Sequence, residues 1–307
     1  MRDRLLIIGG TGFIGRHLVQ MAIDSDLEVS VISMHIPSES NKILGVTYIK
    51  ADLGNLSQLK KGLTSFEFEY VVNLSGYISH SSFLNGGLNL INSHYVGVQN
   101  ILQVLNWSKL KNFIQIGSSD EYGGLPSPQN ELMRESPISP YSSAKVSCTH
   151  LLQMLSKTEN FPVVILRLFL VYGPGQDGSR FIPQIIKGCF SEKEFETSLG
   201  EQIRDFCYIE DIVNGILKAL RSGITDGEII NLASGQPISI RSVIEKVRAY
   251  IGKGSPCFGK IAYRPSENMS LYADISKAEL LLDWSPKTVI KSGIKKTVDS
   301  YLEQNQK

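Results

Sequence analysis

Glycines at the first, fourth and seventh positions of Gly9-Gly10-Thr11-Gly12-Phe13-Ile14-Gly15 follow a short apolar run at 5–8 and open an amphipathic stretch at 12–25. Few local patterns restrict a fold as much. The first glycine lets the chain turn tightly out of a strand. The second lets backbone approach a phosphate, and the third lets helix pack on strand. A helix starting there presents unpaired N–H groups and the positive end of its dipole to an anion. The pattern predicts a strand–turn–helix unit cradling a dinucleotide pyrophosphate, lined by Gly9, Thr11, Gly12, Phe13, Ile14 and Gly15.

The rest of the first half keeps this rhythm. Residues 5–8, 28–33, 46–50, 70–74, 112–117 and 163–168 read as strands, several apolar on both faces, as parallel strands between helical layers are. Helical patterns at 12–25, 55–63, 96–107 and 141–159 lie between them. The alternation predicts an α/β fold, a Rossmann-type doubly wound parallel sheet. Beyond Tyr172 the texture changes, with Gly/Pro breaks and helices near 182–190, 209–222, 240–251 and 275–282. We expect a dinucleotide-binding domain over 1–172, with the chain returning to it near 205–235. A smaller α/β lobe for a substrate is expected mainly over 173–307.

A formal net charge of +1 over 307 residues gives no global field for nucleic acid or an anionic membrane, so an acidic ligand needs a local site. The run at 5–8 is too short for a membrane span or a signal segment. Cys148, Cys189, Cys207 and Cys257 form no metal-ligand spacing, nor do His17, His35, His80, His94 and His150. Free thiols in a reducing, cytoplasmic compartment and no metal are the expectation.

A carboxylate at the end of the second strand ordinarily holds the adenosine ribose. Here the strand 28–33 ends Ser33-Met34-His35. An acid would repel a 2′-phosphate, so its absence favours NADP(H) over NAD(H), with Ser33 and His35 beside the ribose; Lys42 is an imperfect phosphate partner. Asp52 suits the adenine amino group, or is a turn residue before the next helix.

Tyr141-Ser-Ser-Ala-Lys145 puts a phenol and an ammonium one helical turn apart on one face. A lysine near a tyrosine hydroxyl stabilises phenolate, which makes the tyrosine a general acid or base near neutral pH. Ser118, on the loop after the strand at 112–117, is placed to donate a hydrogen bond to a sugar oxygen. Arg204 is a bidentate candidate for phosphate oxygens, or a partner of Asp205 or Glu201.

With these residues in hand, the chain resembles the extended short-chain dehydrogenase/reductase family, and within it the NAD-dependent epimerase/dehydratase group. The segments that match are the glycine loop, Asp52, Val72-Asn73-Leu74-Ser75-Gly76, Gly117-Ser-Ser-Asp-Glu-Tyr-Gly123, Ser139-Pro-Tyr-Ser-Ser-Ala-Lys145, Tyr172-Gly-Pro-Gly175, Arg204-Asp-Phe-Cys-Tyr-Ile-Glu-Asp211 and Asn231-Leu-Ala-Ser-Gly235. The resemblance implies a nucleotide-diphosphate sugar as substrate and Ser118, Tyr141 and Lys145 as the catalytic set. It adds Leu53, Leu74, Ser75 and Gly76, with Tyr141 and Lys145, to the dinucleotide site. It also puts Ser119, Asp120, Arg204 and Arg264 near the substrate and implies a homodimer. Val96, Ile101, Leu105, Leu151, Leu152 and Leu155 are candidates for that contact, or ordinary core.

Three reactions share such a scaffold: 4-epimerisation, 4,6-dehydration and reduction of a 4-keto sugar. Family dehydratases carry a glutamate where this chain has Asp120, and Glu121 is displaced by one position, which disfavours dehydration. Gly117–Gly123 followed by Pro137-Ile-Ser-Pro-Tyr141 looks most like reductases acting on GDP-4-keto-6-deoxymannose and related sugars. The expected activity is therefore reduction of an NDP-4-keto-6-deoxyhexose, ahead of a 4-epimerase with retained NAD; a dinucleotide-sensing protein without catalysis is a weaker alternative. His94 stands where the family usually has Asn, and Leu170 replaces another Asn. His94 either packs or touches the sugar.

Overall fold

The computed structural model describes residues 2–79, 81–191, 193–224, 226–264 and 267–305. His80 and, beside Arg264, Pro265 and Ser266 lie outside the described residues. The chain begins β1 (Arg4–Ile8), α1 (Phe13–Asp24), β2 (Glu28–Ser33), β3 (Thr47–Lys50), α2 (Leu56–Leu63) and β4 (Tyr70–Asn73). It continues with α3 (Gly87–Ile91), a π-helical turn (Asn92–Val96), α4 (Gly97–Val104), β5 (Asn112–Ser118), α5 (Pro140–Glu159) and β6 (Val163–Leu168). Next come β7 (Leu170–Tyr172), α6 (Phe181–Phe190), β8 (Glu194–Thr197), β9 (Ile203–Tyr208), α7 (Ile209–Arg221), β10 (Asp226–Leu232) and β11 (Pro237–Ser239). The last elements are α8 (Ile240–Ile251), β12 (Ser255–Phe258), β13 (Ser270–Leu271), α9 (Ser276–Leu282) and α10 (Ile290–Asn305).

Two compact units form. The first comprises residues 1–123, 131–168 and 213–230. Its seven-stranded sheet has the order β10-β6-β5-β4-β1-β2-β3. Every pairing from β3 to β6 is parallel. The six sequence-predicted strands are all present, and β10 is the seventh. β5 and β6 are buried at every position, so their apolar runs are covered on both faces, as expected for parallel strands between helices. The expected Rossmann-type α/β fold is the observed one.

The order reverses at β1 and β4, and ligands of doubly wound sheets bind beyond the strand ends at such a switch point. The glycine loop leaves β1 there, and residues 74–77 leave β4.

The second unit comprises 124–130, 169–212 and 231–307. In it β9 pairs with β11, β13 and β7, while β8 and β12 form a separate parallel pair. Asp205 of β9 is fully buried and its carboxylate accepts from the backbone N–H groups of Ser234, Gly235 and Ala273 and the Ser234 hydroxyl. These bonds pin the strand that carries Arg204.

Candidate active site

The glycine loop is a cradle with no spare volume. Gly9 has φ +79°, and a Cβ on it would lie 3.3 Å from the Leu74 carbonyl group. A Cβ on Gly15 would fall 2.4 Å from the Gly9 oxygen and 2.6 Å from the Gly10 Cα. Gly12 is the N-cap of α1 and has no side chain to satisfy the first-turn N–H groups. A twelve-residue helix thus starts with uncapped donors on a loop stripped of side-chain bulk, which fits a dinucleotide pyrophosphate. Overpacking by one methyl costs about 1–3 kcal/mol. Gly15→Ala is therefore expected to weaken NADH and NADPH binding roughly tenfold or more. Fluorescence titration of the reduced dinucleotides checks this; unchanged affinity would remove the loop from the site.

Ser33 closes β2, and its hydroxyl pairs with that of Thr11 at 2.7 Å, joining the second strand to the glycine loop. His35 is exposed and its N–H donates to the Ser33 oxygen at 3.4 Å. Lys42 is held by Glu39 at 2.6 Å, so it is not a clean partner for a 2′-phosphate. Asp52 does perform the turn role: Oδ1 accepts from the Gly54 N–H at 2.9 Å just before Asn55 caps α2. Leu53 is buried and its carbonyl accepts from the Asn100 amide. The Leu74 N–H donates to the Ile8 carbonyl, and Ser75 donates twice to the Asn73 side chain, so the two loops at the switch point are tied to their strands.

Tyr141 and Lys145 lie in the first two turns of α5, whose start is set by Ser139 as N-cap and Pro140 behind it. Both are nearly buried. Lys145 Nζ donates to the Ile116 carbonyl at 2.8 Å and lies 5.9 Å from the Tyr141 ring centroid. Burial lowers the Lys145 pKa. An ammonium in so little solvent exerts a strong field on a neighbouring phenol. Cys148, on the next turn, is buried, which pushes its thiol up to about 12 and leaves it inert as a nucleophile.

Ser118 ends β5. Its oxygen accepts from the Asp120 N–H at 3.2 Å, which leaves the hydroxyl hydrogen to donate outward. Ser119 is buried and Asp120 half-buried on the turn that follows. Glu121 is fully buried and committed elsewhere. It accepts from the Ser118 N–H, from the Thr149 hydroxyl and from Arg167, with Arg167 in turn held by Glu135. The absent side chain of Gly117 makes room for it, since a Cβ there would meet Glu121 Oε1 at 2.6 Å. Sequence reasoning saw that Glu121 was displaced but missed its role, because its partner lies 46 positions away.

His94 also emerges from the structure. It is 3% exposed, sits in the π-helical turn and meets the Tyr141 ring edge to face, 5.3 Å between centroids. Its ring packs against Tyr141 and lies within hydrogen-bond reach of the Tyr77 carbonyl.

Arg204 and Arg264 belong to the second unit. Arg204 pairs with Glu267. Glu201 instead accepts from the Tyr263 hydroxyl. Arg264 is exposed and its backbone carbonyl accepts from the Glu267 N–H. Leu170 is partly exposed on β7. Three of the six residues considered for a subunit contact, Ile101, Leu152 and Leu155, are core of the first unit, and Leu105 and Leu151 pack against it. Val96, Leu105 and Leu151 remain partly exposed. Among the described residues no group of three or more His, Cys, Asp or Glu could hold a metal ion, and no helix is long and apolar enough to cross a membrane.

Comparison with known proteins agrees with this geometry. The chain is 29% identical to a UDP-glucuronate 4-epimerase of Thermodesulfobacterium geofontis, over 85% of this chain and 81% of that one. It is 26% identical to the dTDP-glucose 4,6-dehydratase of Salmonella typhimurium, over 99% and 94%. The crystal structure of UDP-glucuronic acid 4-epimerase from Bacillus cereus, in complex with UDP-glucuronic acid and NAD, superposes with a TM-score of 0.87. That structure is 28% identical and covers 98% of this chain and 99% of its own. The model of the NAD dependent epimerase/dehydratase family matches residues 5–233, which hold the glycine cradle, the Tyr141–Lys145 pair and Ser118, and the chain belongs to that family.

Proposed function

We propose that the chain reduces a nucleotide-diphosphate 4-keto-6-deoxyhexose to the 6-deoxyhexose, drawing on NADPH in preference to NADH. The single observation that carries this choice is the carboxylate-free end of β2, Ser33-Met34-His35, where the Ser33 hydroxyl pairs with that of Thr11. A reductase consumes its dinucleotide and must exchange it, and the reduced phosphorylated form is the usual stock for such reactions.

When bound, the dinucleotide supplies hydride to the sugar carbon. The chain's residues do the rest. Ser118 donates a hydrogen bond to the keto oxygen, Tyr141 delivers the proton to that oxygen, and Lys145 holds the phenol in an ionisable state. Ser119 and Asp120 border the sugar, while Arg204 and Arg264 take the diphosphate once Arg204 exchanges Glu267 for phosphate oxygens. The commitment of Glu121 to Arg167 argues against dehydration, since the carboxylate beside Ser118 is spent on the fold. A cytoplasmic homodimer is part of the same reading, supported by four free cysteines and by the family resemblance.

A second reading, a 4-epimerase that retains NAD, is favoured by one finding: two of the relatives above, at 28–29% identity, are named as UDP-glucuronate 4-epimerases. One assay separates them. Purified protein, NADPH or NADH and a panel of NDP-4-keto-6-deoxyhexoses are mixed and loss of reduced cofactor is followed. Consumption with one sugar supports the reductase; no consumption, with NAD released on denaturation, overturns it in favour of the epimerase.

Ser33→Asp tests the cofactor choice. A new carboxylate at the ribose is expected to cut kcat/KM with NADPH by roughly tenfold or more, through like-charge repulsion worth over about 1 kcal/mol. The NADH value should hold or rise. Equal effects on both cofactors would show that β2 does not face the 2′ position.

A further inference from the structure

We propose that His94 is a positioning residue that fixes the Tyr141 ring against the loop leaving β4, so that the phenol and the dinucleotide-facing loop share one register. The proposal rests on the reading of Tyr141 as acid/base. Three contacts, one from α5 and two from the loop leaving β4, carry it. First, the imidazole meets the Tyr141 ring of α5 at an interplanar angle of 76°, an edge-to-face arrangement. Second, His94 Nε2 lies 3.1 Å from the Tyr77 carbonyl oxygen. A carbonyl only accepts, so Nε2 carries the proton and the tautomer is fixed. Third, the ring fills the space where Gly76 would carry a side chain: a Cβ there would sit 1.9 Å from His94 Cε1, and Gly76 has φ +100°.

Neither loop nor helix would achieve this by itself. Residues 92–96 form a π-helical turn inside an otherwise α-helical stretch, a rearrangement that recurs at functional positions because it re-aims one side chain. The ionisable groups that face His94 are Lys145 and Tyr141 on α5 and the Tyr77 phenol, whose ring centroid is 6.5 Å away. Burial, then the Lys145 charge, drive the imidazole's pKa down to about 3 against the pull of the Tyr77 carbonyl. The ring therefore stays neutral and adds no second cation beside Tyr141. Its contribution is shape, a fixed tether and exclusion of water from Lys145.

The deciding readout, a titration of Tyr141, needs no sugar substrate. The chain has twelve tyrosines, so the near-UV tyrosinate titration of Tyr141→Phe is subtracted from that of the unmodified protein to isolate one phenol. The same subtraction is made in His94→Ala and His94→Phe backgrounds, with circular dichroism and NADPH affinity measured in each. In His94→Ala, water reaches Lys145 and the phenol moves, so the Tyr141 ionisation is expected to rise by about half a unit or more. Turnover should fall about 10–100-fold, the scale of an ångström-sized misplacement. NADPH affinity should change by less than about threefold, well under 1 kcal/mol. His94→Phe keeps an aromatic ring against Tyr141 but loses the bond to the Tyr77 carbonyl, so its shift should be present but smaller than that of His94→Ala. An unchanged Tyr141 titration in His94→Ala overturns the proposal, as does a loss confined to NADPH affinity. If the alanine variant does not fold, His94→Asn against His94→Phe carries the test, with the larger shift expected in the former, which has no ring to meet Tyr141. A difference titration showing no Tyr141 ionisation below its ordinary value of about 10 would instead overturn the acid/base reading itself.

Discussion

Tyr141→Phe is expected to lower turnover of the reducible sugar nucleotide by about 10²–10⁴-fold while leaving dinucleotide affinity and stability close to unchanged. The substitution removes one oxygen and nothing else. The ring that packs against His94 remains, α5 keeps its Ser139 cap and Lys145 keeps its bond to the Ile116 carbonyl. Only proton delivery to the substrate oxygen is lost. The loss should appear equally in kcat and kcat/KM, because the interaction is made in the transition state. Steady-state kinetics with the sugar that consumes reduced cofactor checks it. A loss of less than tenfold would take the proton-transfer role from Tyr141 and leave the Ser118 hydroxyl as the donor to examine.

Arg167→Met is expected to destabilise the protein by about 3–5 kcal/mol, the cost of leaving a buried charge without its partner. Arg167 is wholly buried on β6 and bridges Glu121, also wholly buried, and Glu135. Its guanidinium stacks 4.6 Å over the Tyr122 ring. Removing it strands a carboxylate that also orders the Ser118 backbone, so activity should fall along with stability. The midpoint of urea unfolding at neutral pH measures the loss. A pH series adds a signed check. Burial is the largest single influence and works to raise the Glu135 pKa. The Arg167 hydrogen bond, a backbone hydrogen bond and the neighbouring charges of Arg167 and His150 together outweigh it and hold the carboxyl below its usual range. A depressed carboxylate contributes stability that is full above the ordinary glutamate value of about 4.3. That contribution drains away as pH falls through the lower folded value. The gap between the parent and Arg167→Met should therefore narrow below about pH 4. A gap constant down to that pH would show that Glu135 contributes nothing to the network.

The fold and half of the site were legible in the sequence because they are written locally. The apolar runs of β1, β2 and β5, the spaced glycines and the four-residue step from Tyr141 to Lys145 each report on a few neighbouring residues, and each forms as expected. What stayed hidden depends on partners far apart in the chain. Nothing near Glu121 marks Arg167 as its partner, and nothing near His94 marks Gly76, Tyr77 and Tyr141 as its surroundings. Arg204 had acidic neighbours on both sides in sequence, yet one is spent on Ser234, Gly235 and Ala273, and its ion pair comes from Glu267, 63 residues on. Ile101, Leu152 and Leu155 show the converse. A stripe at helical spacing looks the same whether it meets a second chain or its own core, and here it meets its own core.

The seventh strand has a practical corollary for anyone who would cut this chain. β10, drawn from residues 226–232, is the outer neighbour of β6, while β6 is buried at every position. A fragment ending near residue 172 would contain the glycine loop and the Tyr141–Lys145 pair, yet would expose the edge of a strand that is apolar except at Arg167, the kind of surface that templates aggregation. The unit that carries the glycine loop is thus not a detachable cassette. Its sheet is complete only when residues 226–232, drawn from beyond the start of the second unit, are included.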